Sequence, residues 1–251
     1  MENFNELRSG FETAYIDGSV ASSLAYRPQF VSNNYKEGKK VLSSIEDELL
    51  KCDQFQISVA FITMSGITPL LQTLKELEKR NVPGEILTTN YLGFSEPRAL
   101  AKLHKLSNIT VKMYDVDAAG EGFHTKGYIF RKNNVYRAIV GSSNLTLNAL
   151  TINKEWNIGF SSLTNGEIIK ELLDEFNFLW DDSSCLAEVL PHYESLYDSV
   201  HQFIDVKNIS DEIKENSDEE LVPNSMQVEF LENIRELIQK GENKALLVSA
   251  T

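Results

Sequence analysis

The chain has 251 residues, a formal net charge of −13, and 42% hydrophobic and 10% aromatic residues. This length and composition fit a globular protein with one sizeable core and some additions. No apolar run approaches the roughly 20 residues of a membrane span, and the N-terminus lacks the basic and apolar regions of a secretion signal. We therefore expect a cytoplasmic protein without a membrane partner.

Residues 1–35 predict a short helix followed by an N-terminal arm. Apolar spacing from Phe11 to Ile16 indicates the helix. Gly18 and Pro28 then interrupt regular structure. We expect such an arm to pack on a neighbouring subunit or domain.

Helices and strands alternate along residues 36–205. The strands are short runs of β-branched and aromatic residues, and the helices carry leucine and isoleucine at helical spacing. The predicted strands are residues 56–61, 85–89, 109–114, 123–130, 135–140 and 156–161. The predicted helices are residues 36–52, 67–82, 96–106, 166–180 and 186–204, with a break at Pro191. This alternation predicts an α/β fold with largely parallel strands in its first half.

Polar residues of the catalytic kind concentrate between residues 123 and 155. His124 and Lys126 are two residues apart in a predicted strand, so both side chains are expected on one face. A turn at residues 132–134 leads into the next strand, which ends at Gly141-Ser142-Ser143-Asn144. The hairpin is therefore expected to deliver residues 141–144 beside the histidine.

These residue types suit phosphodiester chemistry. Transfer at phosphorus needs a nucleophile or acid that titrates near neutrality, which a histidine supplies. Lys126, Ser142 and Asn144 are potential donors to the non-bridging oxygens, and Gly141 would let the backbone approach a phosphate. Glu155 can accept a hydrogen bond from the far imidazole nitrogen and fix its tautomer. The alternative, that Ser142 and Asn144 only form turns, stays open at this point.

The order His-x-Lys, Gly-Ser-x-Asn and a glutamate eleven residues later resembles the phospholipase D superfamily, and Asn-x-Glu-Trp-Asn at residues 153–157 resembles its nuclease branch. The resemblance implies a phospholipase D-like mixed β-sheet flanked by helices on both faces, plus C-terminal helical additions. The family pattern has an aspartate five residues after the lysine, where this chain has Arg131. The implied roles are His124 as nucleophile, Lys126 and Asn144 as phosphate clamps, Ser142 as supporting donor and Glu155 as orienter of the histidine.

The superfamily builds its active centre from two facing His-x-Lys motifs, and this chain holds one. The resemblance therefore implies a homodimer in which His124 of each copy reaches the same phosphate. It implies no metal and no cofactor for this reaction. The four histidines and two cysteines also lack metal-ligand spacing.

The distribution of charge changes what the net charge predicts about partners. A net charge of −13 opposes binding to nucleic acid, which draws affinity from phosphate neutralisation. Residues 96–155, however, hold nine basic against five acidic residues, whereas residues 156–205 hold one against ten. We therefore expect nucleic acid, DNA in the first place, to meet the motif region alone. A solvated charge pattern without a partner is the alternative.

Residues 206–224 predict a mobile acidic linker. Residues 225–251 predict the start of a second domain, with a helix that carries Gln227 followed by a strand. This segment resembles the entry to a superfamily 2 DEAD/DEAH-type helicase or restriction-type ATPase, in which Gln227 would contact the nucleotide. The resemblance implies ATP and Mg²⁺ for the motor only, and a domain that continues past Thr251 into a Walker A loop.

Together these features predict a metal-independent nuclease that works through a phosphohistidine at a dimer-shared site, as the N-terminal module of a bacterial helicase or restriction-type enzyme. The alternative is a dimeric module for binding DNA or a protein partner that has lost catalysis, which Arg131 would permit. A lipid phosphodiesterase is a third interpretation. It would call for an apolar interfacial patch or an amphipathic basic helix, and the sequence shows neither.

Overall fold

The structure is a computed structural model that describes residues 2–212, with side chains described for residues 4–199. Most of the predicted linker and the whole predicted helicase segment, Gln227 included, lie outside the described residues. The chain divides into two compact units, residues 1–197 and 198–251, and the sheet and the candidate site belong to the first.

Helices and strands alternate much as the sequence predicts. No described helix is long and apolar enough to cross a membrane. The helices are α1 (Glu2–Tyr15), α2 (Val41–Lys51), α3 (Met64–Ile67), α4 (Leu71–Lys79), α5 (Pro97–His104), α6 (Val116–Ala119), α7 (Leu147–Thr151), α8 (Glu167–Asp181) and α9 (Leu186–Glu212). The strands are β1 (Gln29–Val31), β2 (Gln54–Val59), β3 (Gly84–Thr89), β4 (Ile109–Tyr114), β5 (Lys126–Lys132), β6 (Val135–Gly141), β7 (Asn157–Leu163) and β8 (Ser184–Cys185).

One mixed sheet of eight strands organises the first unit, in the order β1-β7-β6-β5-β2-β3-β4-β8. Strands β2, β3 and β4 are parallel, because α3, α4 and α5 carry the chain back between them. The other pairs are antiparallel. The parallel pairing predicted for the first half is therefore confirmed.

Helices cover both faces of the sheet. Successive side chains of a strand point to opposite faces, so apolar residues on both faces need a covering layer. Phe55, Ile57 and Val59 of β2 enter the larger core together with α2, α4, α5, α7 and the start of α9. On the opposite face, Ala60 packs in a cluster with Phe176 of α8, and α8 also covers part of β5 and β6. The predicted fold class, a mixed sheet flanked by helices on both faces, is confirmed.

Strands β5 and β6 form the predicted hairpin. The register pairs Lys132 with Val135 and leaves Asn133 and Asn134 as a two-residue turn. Asn133 has a φ of 54°, in the left-handed region that asparagine tolerates. Asp53 accepts hydrogen bonds from the Asn133 amide at 2.9 Å and from Lys132 Nζ at 3.1 Å. Turn chemistry and a tertiary contact thus select the same register.

Part of the predicted N-terminal arm is a strand of the sheet. β1 pairs antiparallel with β7, so this segment packs on its own domain rather than on a neighbour. The reason is that β7 would otherwise be an unpaired edge. Asn33 holds the segment in place: Nδ2 donates to the carbonyls of Ala149 at 2.8 Å and Asn153 at 2.9 Å, and Oδ1 accepts from the Val41 amide at 2.9 Å.

Helix α9 is longer and more continuous than predicted. Pro191 lies inside it and does not break it. The proline removes one backbone donor, but Leu186 and Tyr193 on either side are buried in the core and hold this part of the helix. The helix also continues to Glu212, over the first residues of the predicted linker at 206–224.

Gly141 ends β6 where it meets the start of β7, and there is no room for a side chain. An added Cβ would overlap the carbonyl oxygen of Trp156 and lie 2.6 Å from Cα of Asn157. The sequence predicts that this glycine lets a phosphate approach. The structure shows instead that it lets two strands approach.

Gly141→Ala should therefore destabilise the fold. We expect the free energy of unfolding to fall by about 1–3 kcal/mol, the usual cost of overpacking, in urea titrations followed by circular dichroism. Gly127→Ala on neighbouring β5 is the matched control, because a Cβ there meets nothing within 4 Å. Equal urea midpoints for the two variants would contradict this account of Gly141.

Candidate active site

The predicted site residues converge on one edge of the sheet. Because β5, β6 and β7 are antiparallel neighbours, the start of β5, the end of β6 and the start of β7 lie together. The carboxyl end of β2 lies at the same edge, since Val59 pairs with Lys126. The edge therefore collects His124, Lys126, Ser142, Asn144 and Glu155 from three separate stretches of chain.

His124 lies in the loop that leads into β5, with its side chain exposed to solvent. The ring of Phe61 stands edge-to-face against the imidazole, with 5.9 Å between ring centroids. Partial burial lowers the pKa of His124, and the neighbouring Lys126 charge lowers it further. The neutral imidazole, which is the nucleophilic form, is thereby favoured near neutral pH.

Lys126 is the first residue of β5 and is 8% exposed. Its ammonium donates a hydrogen bond to the backbone carbonyl of His124 at 2.8 Å, which ties the two motif residues together. Burial lowers the pKa of Lys126 to about 8, and the Glu155 carboxylate opposes the shift. A buried ammonium with further donor capacity is well suited to hold a phosphate oxygen.

Asn144 follows β6 and is fixed by the loop after β2. Its Oδ1 accepts a hydrogen bond from the Phe61 amide at 3.1 Å. Next to it, the Leu145 amide donates to the Phe61 carbonyl at 3.0 Å, so the two segments run side by side. With Oδ1 engaged, the NH₂ group of Asn144 is the end available to donate to a ligand.

Ser142 and Glu155 contact each other. The Ser142 hydroxyl donates to the Glu155 carboxylate and accepts a hydrogen bond from the Trp156 amide at 3.0 Å. The one hydroxyl proton is therefore engaged with Glu155, and in this geometry Ser142 is not a free donor for phosphate. Among the described residues of one protomer, the Glu155 carboxylate contacts Ser142 and not the His124 imidazole that it was expected to orient.

Two buried residues that sequence reasoning did not assign hold these groups in place. Asn157, 2% exposed, accepts a hydrogen bond from the Ser143 amide at 3.3 Å and donates to Ser143 Oγ at 2.9 Å and to the Val31 carbonyl at 3.0 Å. The Tyr128 hydroxyl donates to the Ser143 carbonyl at 3.0 Å, and burial strongly raises the pKa of Tyr128. The only sequence signal for Asn157 is its place in the Asn-x-Glu-Trp-Asn motif.

Arg131 does not lie in the site. It pairs with Gln54 at the other end of β5, five residues from Lys126 and thus about 17 Å along an extended strand. The Arg131 side chain is exposed, and the backbone carbonyl of Arg131 accepts a hydrogen bond from the Asp53 amide at 2.7 Å. The departure from the family pattern at this position therefore affects the hairpin end rather than the histidine.

Part of the basic excess of residues 96–155 is engaged away from the site. Three of these nine basic residues have partners elsewhere: Lys112 donates to the Trp180 carbonyl at 2.7 Å, Lys132 pairs with Asp53 at 3.1 Å, and Arg137 lies 3.5 Å from Glu48. At the site itself, the buried Lys126 and the exposed Lys154 supply positive charge. The charge for a phosphate is thus local to the site.

A search of the described residues finds no group of three or more histidine, cysteine, aspartate or glutamate side chains placed to hold a metal ion.

A family model described as "Cardiolipin synthase, PLD-like domain" matches residues 48–180, more than half of the 251 residues. The chain belongs to the PLD-like domain family. This is a family of phosphodiester-hydrolysing enzymes, and the matched residues include the five catalytic residues predicted from the sequence but not Gln227.

A solved structure with a TM-score of 0.50 shows the same fold, and a second is similar to the chain at a TM-score of 0.49. NucT from Helicobacter pylori is 14% identical and superposes with a TM-score of 0.50, covering 64% of this chain and 99% of that one. Nuc from Salmonella typhimurium, a phospholipase D family member, is 18% identical with a TM-score of 0.49, covering 63% of this chain and 98% of that one. At these identities the likeness concerns the PLD-like fold alone. No curated protein matches the chain significantly.

The lowered pKa of Lys126 predicts a specific titration. Since the ammonium form dominates below pH 8 and is lost above it, the side-chain carbon signal of Lys126 in NMR should move with a midpoint of about 8. Glu155→Gln should lower that midpoint further, because the carboxylate that opposes the shift is gone. Lys126→Arg assigns the signal by removing it. A midpoint near the ordinary lysine value of about 10.4 would show that the ammonium is not desolvated.

Proposed function

We propose that this PLD-like domain is a nuclease: a metal-independent phosphodiesterase that cleaves nucleic acid, DNA in the first place, through a phosphohistidine. The observation that carries the proposal is the convergence of His124, Lys126 and Asn144 on one sheet edge. There, the imidazole, the ammonium and the carboxamide are each held by a contact with a neighbouring residue, and the carboxamide is held through its oxygen. This set offers one nucleophile and two donors to the same phosphate.

In the first step, the neutral imidazole of His124 attacks phosphorus, and the bond from phosphorus to the leaving oxygen breaks. Lys126 and the Asn144 amide stabilise the charge on the non-bridging oxygens. The leaving oxygen needs a proton, which a second imidazole in its protonated form supplies. In the second step, water attacks the phosphohistidine, gives its proton back to that second imidazole, and the phosphorus–nitrogen bond breaks.

We propose that the second imidazole comes from a second copy of the chain. The domain contributes one His-x-Lys motif, and His124 is exposed rather than enclosed, so a copy related by two-fold symmetry could present its own His124 to the same phosphate. The negative charge of a bound phosphate would favour the protonated state of one of the two rings.

The non-catalytic alternative, a binding module, depended on Arg131. Since Arg131 lies at the far end of β5, that observation no longer favours lost catalysis. The lipid alternative gains the family description, which names a cardiolipin synthase, and the exposed apolar side chains of Phe30, Trp156 and Ile158 near the site.

We also propose that the domain is the N-terminal module of a helicase or restriction-type enzyme. The support is the resemblance of residues 225–251, with Gln227, to the entry of a superfamily 2 motor. ATP and Mg²⁺ would serve that motor and not the nuclease site. A DNA-stimulated ATPase activity of the natural full-length protein is the test.

Cleavage of single- or double-stranded DNA should continue in excess EDTA and fall by about 10²- to 10⁴-fold or more in His124→Ala, because the nucleophile is lost. His104→Ala is the matched control, since His104 is exposed on α5 and away from the motif. A gel assay on end-labelled DNA measures both. Loss of cleavage with EDTA, or an active His124→Ala, would contradict the mechanism, and cleavage of phospholipid vesicles without cleavage of DNA would favour the lipid alternative.

A shared site predicts how mixtures of subunits behave. If wild type and His124→Ala are co-expressed so that copies pair at random, activity should fall as the square of the wild-type fraction, because both imidazoles are needed. Light scattering should give twice the mass of one chain. Activity that falls in direct proportion to the wild-type fraction would show that each copy works alone.

A further inference from the structure

Trp156 presents an exposed indole beside the candidate site. Its side chain is 75% exposed, and it lies edge-to-face with Phe30, which is 57% exposed, with 5.9 Å between ring centroids. Ile158 of β7, two residues after Trp156, is 42% exposed and pairs with Phe30 in the β1–β7 register. These three residues share one face of the sheet, and we call them the aromatic edge.

The aromatic edge is tied to the turn at residues 141–144 that follows β6. The Trp156 amide donates to Ser142 Oγ at 3.0 Å, and the Ser142 amide donates to the Trp156 carbonyl at 3.2 Å. Asn157, the next residue, is hydrogen-bonded to both Ser143 and the Val31 carbonyl, which fixes β1 and hence Phe30. The backbone of Trp156 therefore has a set position relative to Ser142, and the indole itself contacts Phe30.

Among residues 4–199, no helix covers the aromatic edge. Helix α8 packs over Ile129 and Ala138 of the central strands, but the aromatic edge lies beyond that cluster. The surroundings are polar as well as apolar, since Lys154 is exposed two residues before the indole. An aromatic surface next to a cation and a phosphate site is complementary to a nucleotide, which carries a π-face and a phosphate a short distance apart.

We propose that Trp156 stacks against an unpaired nucleobase of the strand whose phosphate lies at His124. The inference rests on the proposed function and narrows it to single-stranded or locally unpaired nucleic acid. Within a duplex, both faces of a base are occupied by its stacked neighbours, so the indole would have no face to contact. A lipid diester offers no ring to stack on.

Binding tests this without cleavage, in the His124→Ala protein. Removing a stacking platform typically weakens single-strand binding by roughly 5- to 150-fold. We expect a loss in this range when Trp156→Ala is added, measured by fluorescence anisotropy with a labelled oligothymidylate. Trp156→Phe, which keeps a ring, should recover most of the affinity. Phe178→Ala, which removes an exposed aromatic of α8, should leave it unchanged. Because no variant needs to cleave, a failure of the proposed chemistry does not affect this test.

Fluorescence of the Trp156 indole provides a second test of the proposal. The chain has two tryptophans, so Trp180→Phe leaves Trp156 as the only reporter. Oligothymidylate should quench its emission, whereas polyphosphate of equal charge, which has no bases, should not. Unchanged affinity in Trp156→Ala, or equal quenching by polyphosphate, would overturn the proposal. So would a blue-shifted emission that depends on protein concentration and ignores DNA, because the aromatic edge would then be a contact between copies.

Discussion

The antiparallel ladder of β5, β6 and β7 is the constraint on which the site depends. It brings together the start of β5, the end of β6 and the start of β7, so residues that are about thirty positions apart along the chain become neighbours. The ladder also explains why Gly141 is needed, since a side chain there would push β6 away from β7. The proposed phosphate site at such an edge would inherit the rigidity of the sheet, which suits chemistry that depends on positioned donors.

Much of the fold could be predicted from the sequence, because the sequence signals for its turns, helices and strands are local. Asn133 and Asn134 favour a tight turn, and leucine or isoleucine at helical spacing marks the helices wherever tertiary contacts agree with local preference. The strand Ile109–Tyr114 has the predicted bounds, since its apolar residues alternate and a helix precedes it. The motif residues His124 and Asn144 were brought to one edge by the same hairpin that the sequence predicts.

The features that could not be predicted depend on contacts between distant parts of the chain, and such contacts leave no pattern in the sequence. Nothing in the residue types of the N-terminal arm shows that β7 needs an edge partner, so β1 was not predicted. The contact of Glu155 with Ser142 rather than with His124 depends on side-chain direction at two strand ends, which spacing does not determine. The number of basic residues can be counted along the chain. The burial of Arg137 beside Glu48, by contrast, depends on the folded sheet and could not be predicted from that count.

The pairing of β1 with β7 also affects the order in which strands can pair while the chain is being synthesised. Val31 leaves the ribosome well over a hundred residues before its partner Asn157, so the first strand made waits with its backbone unpaired until the last strand of the site emerges. Non-local pairings of this kind close late, because the chain between them must be ordered first. Since Asn157 joins Val31 to the turn that holds Ser143, the nascent domain completes its candidate site only when the two paired strands that are furthest apart in sequence meet.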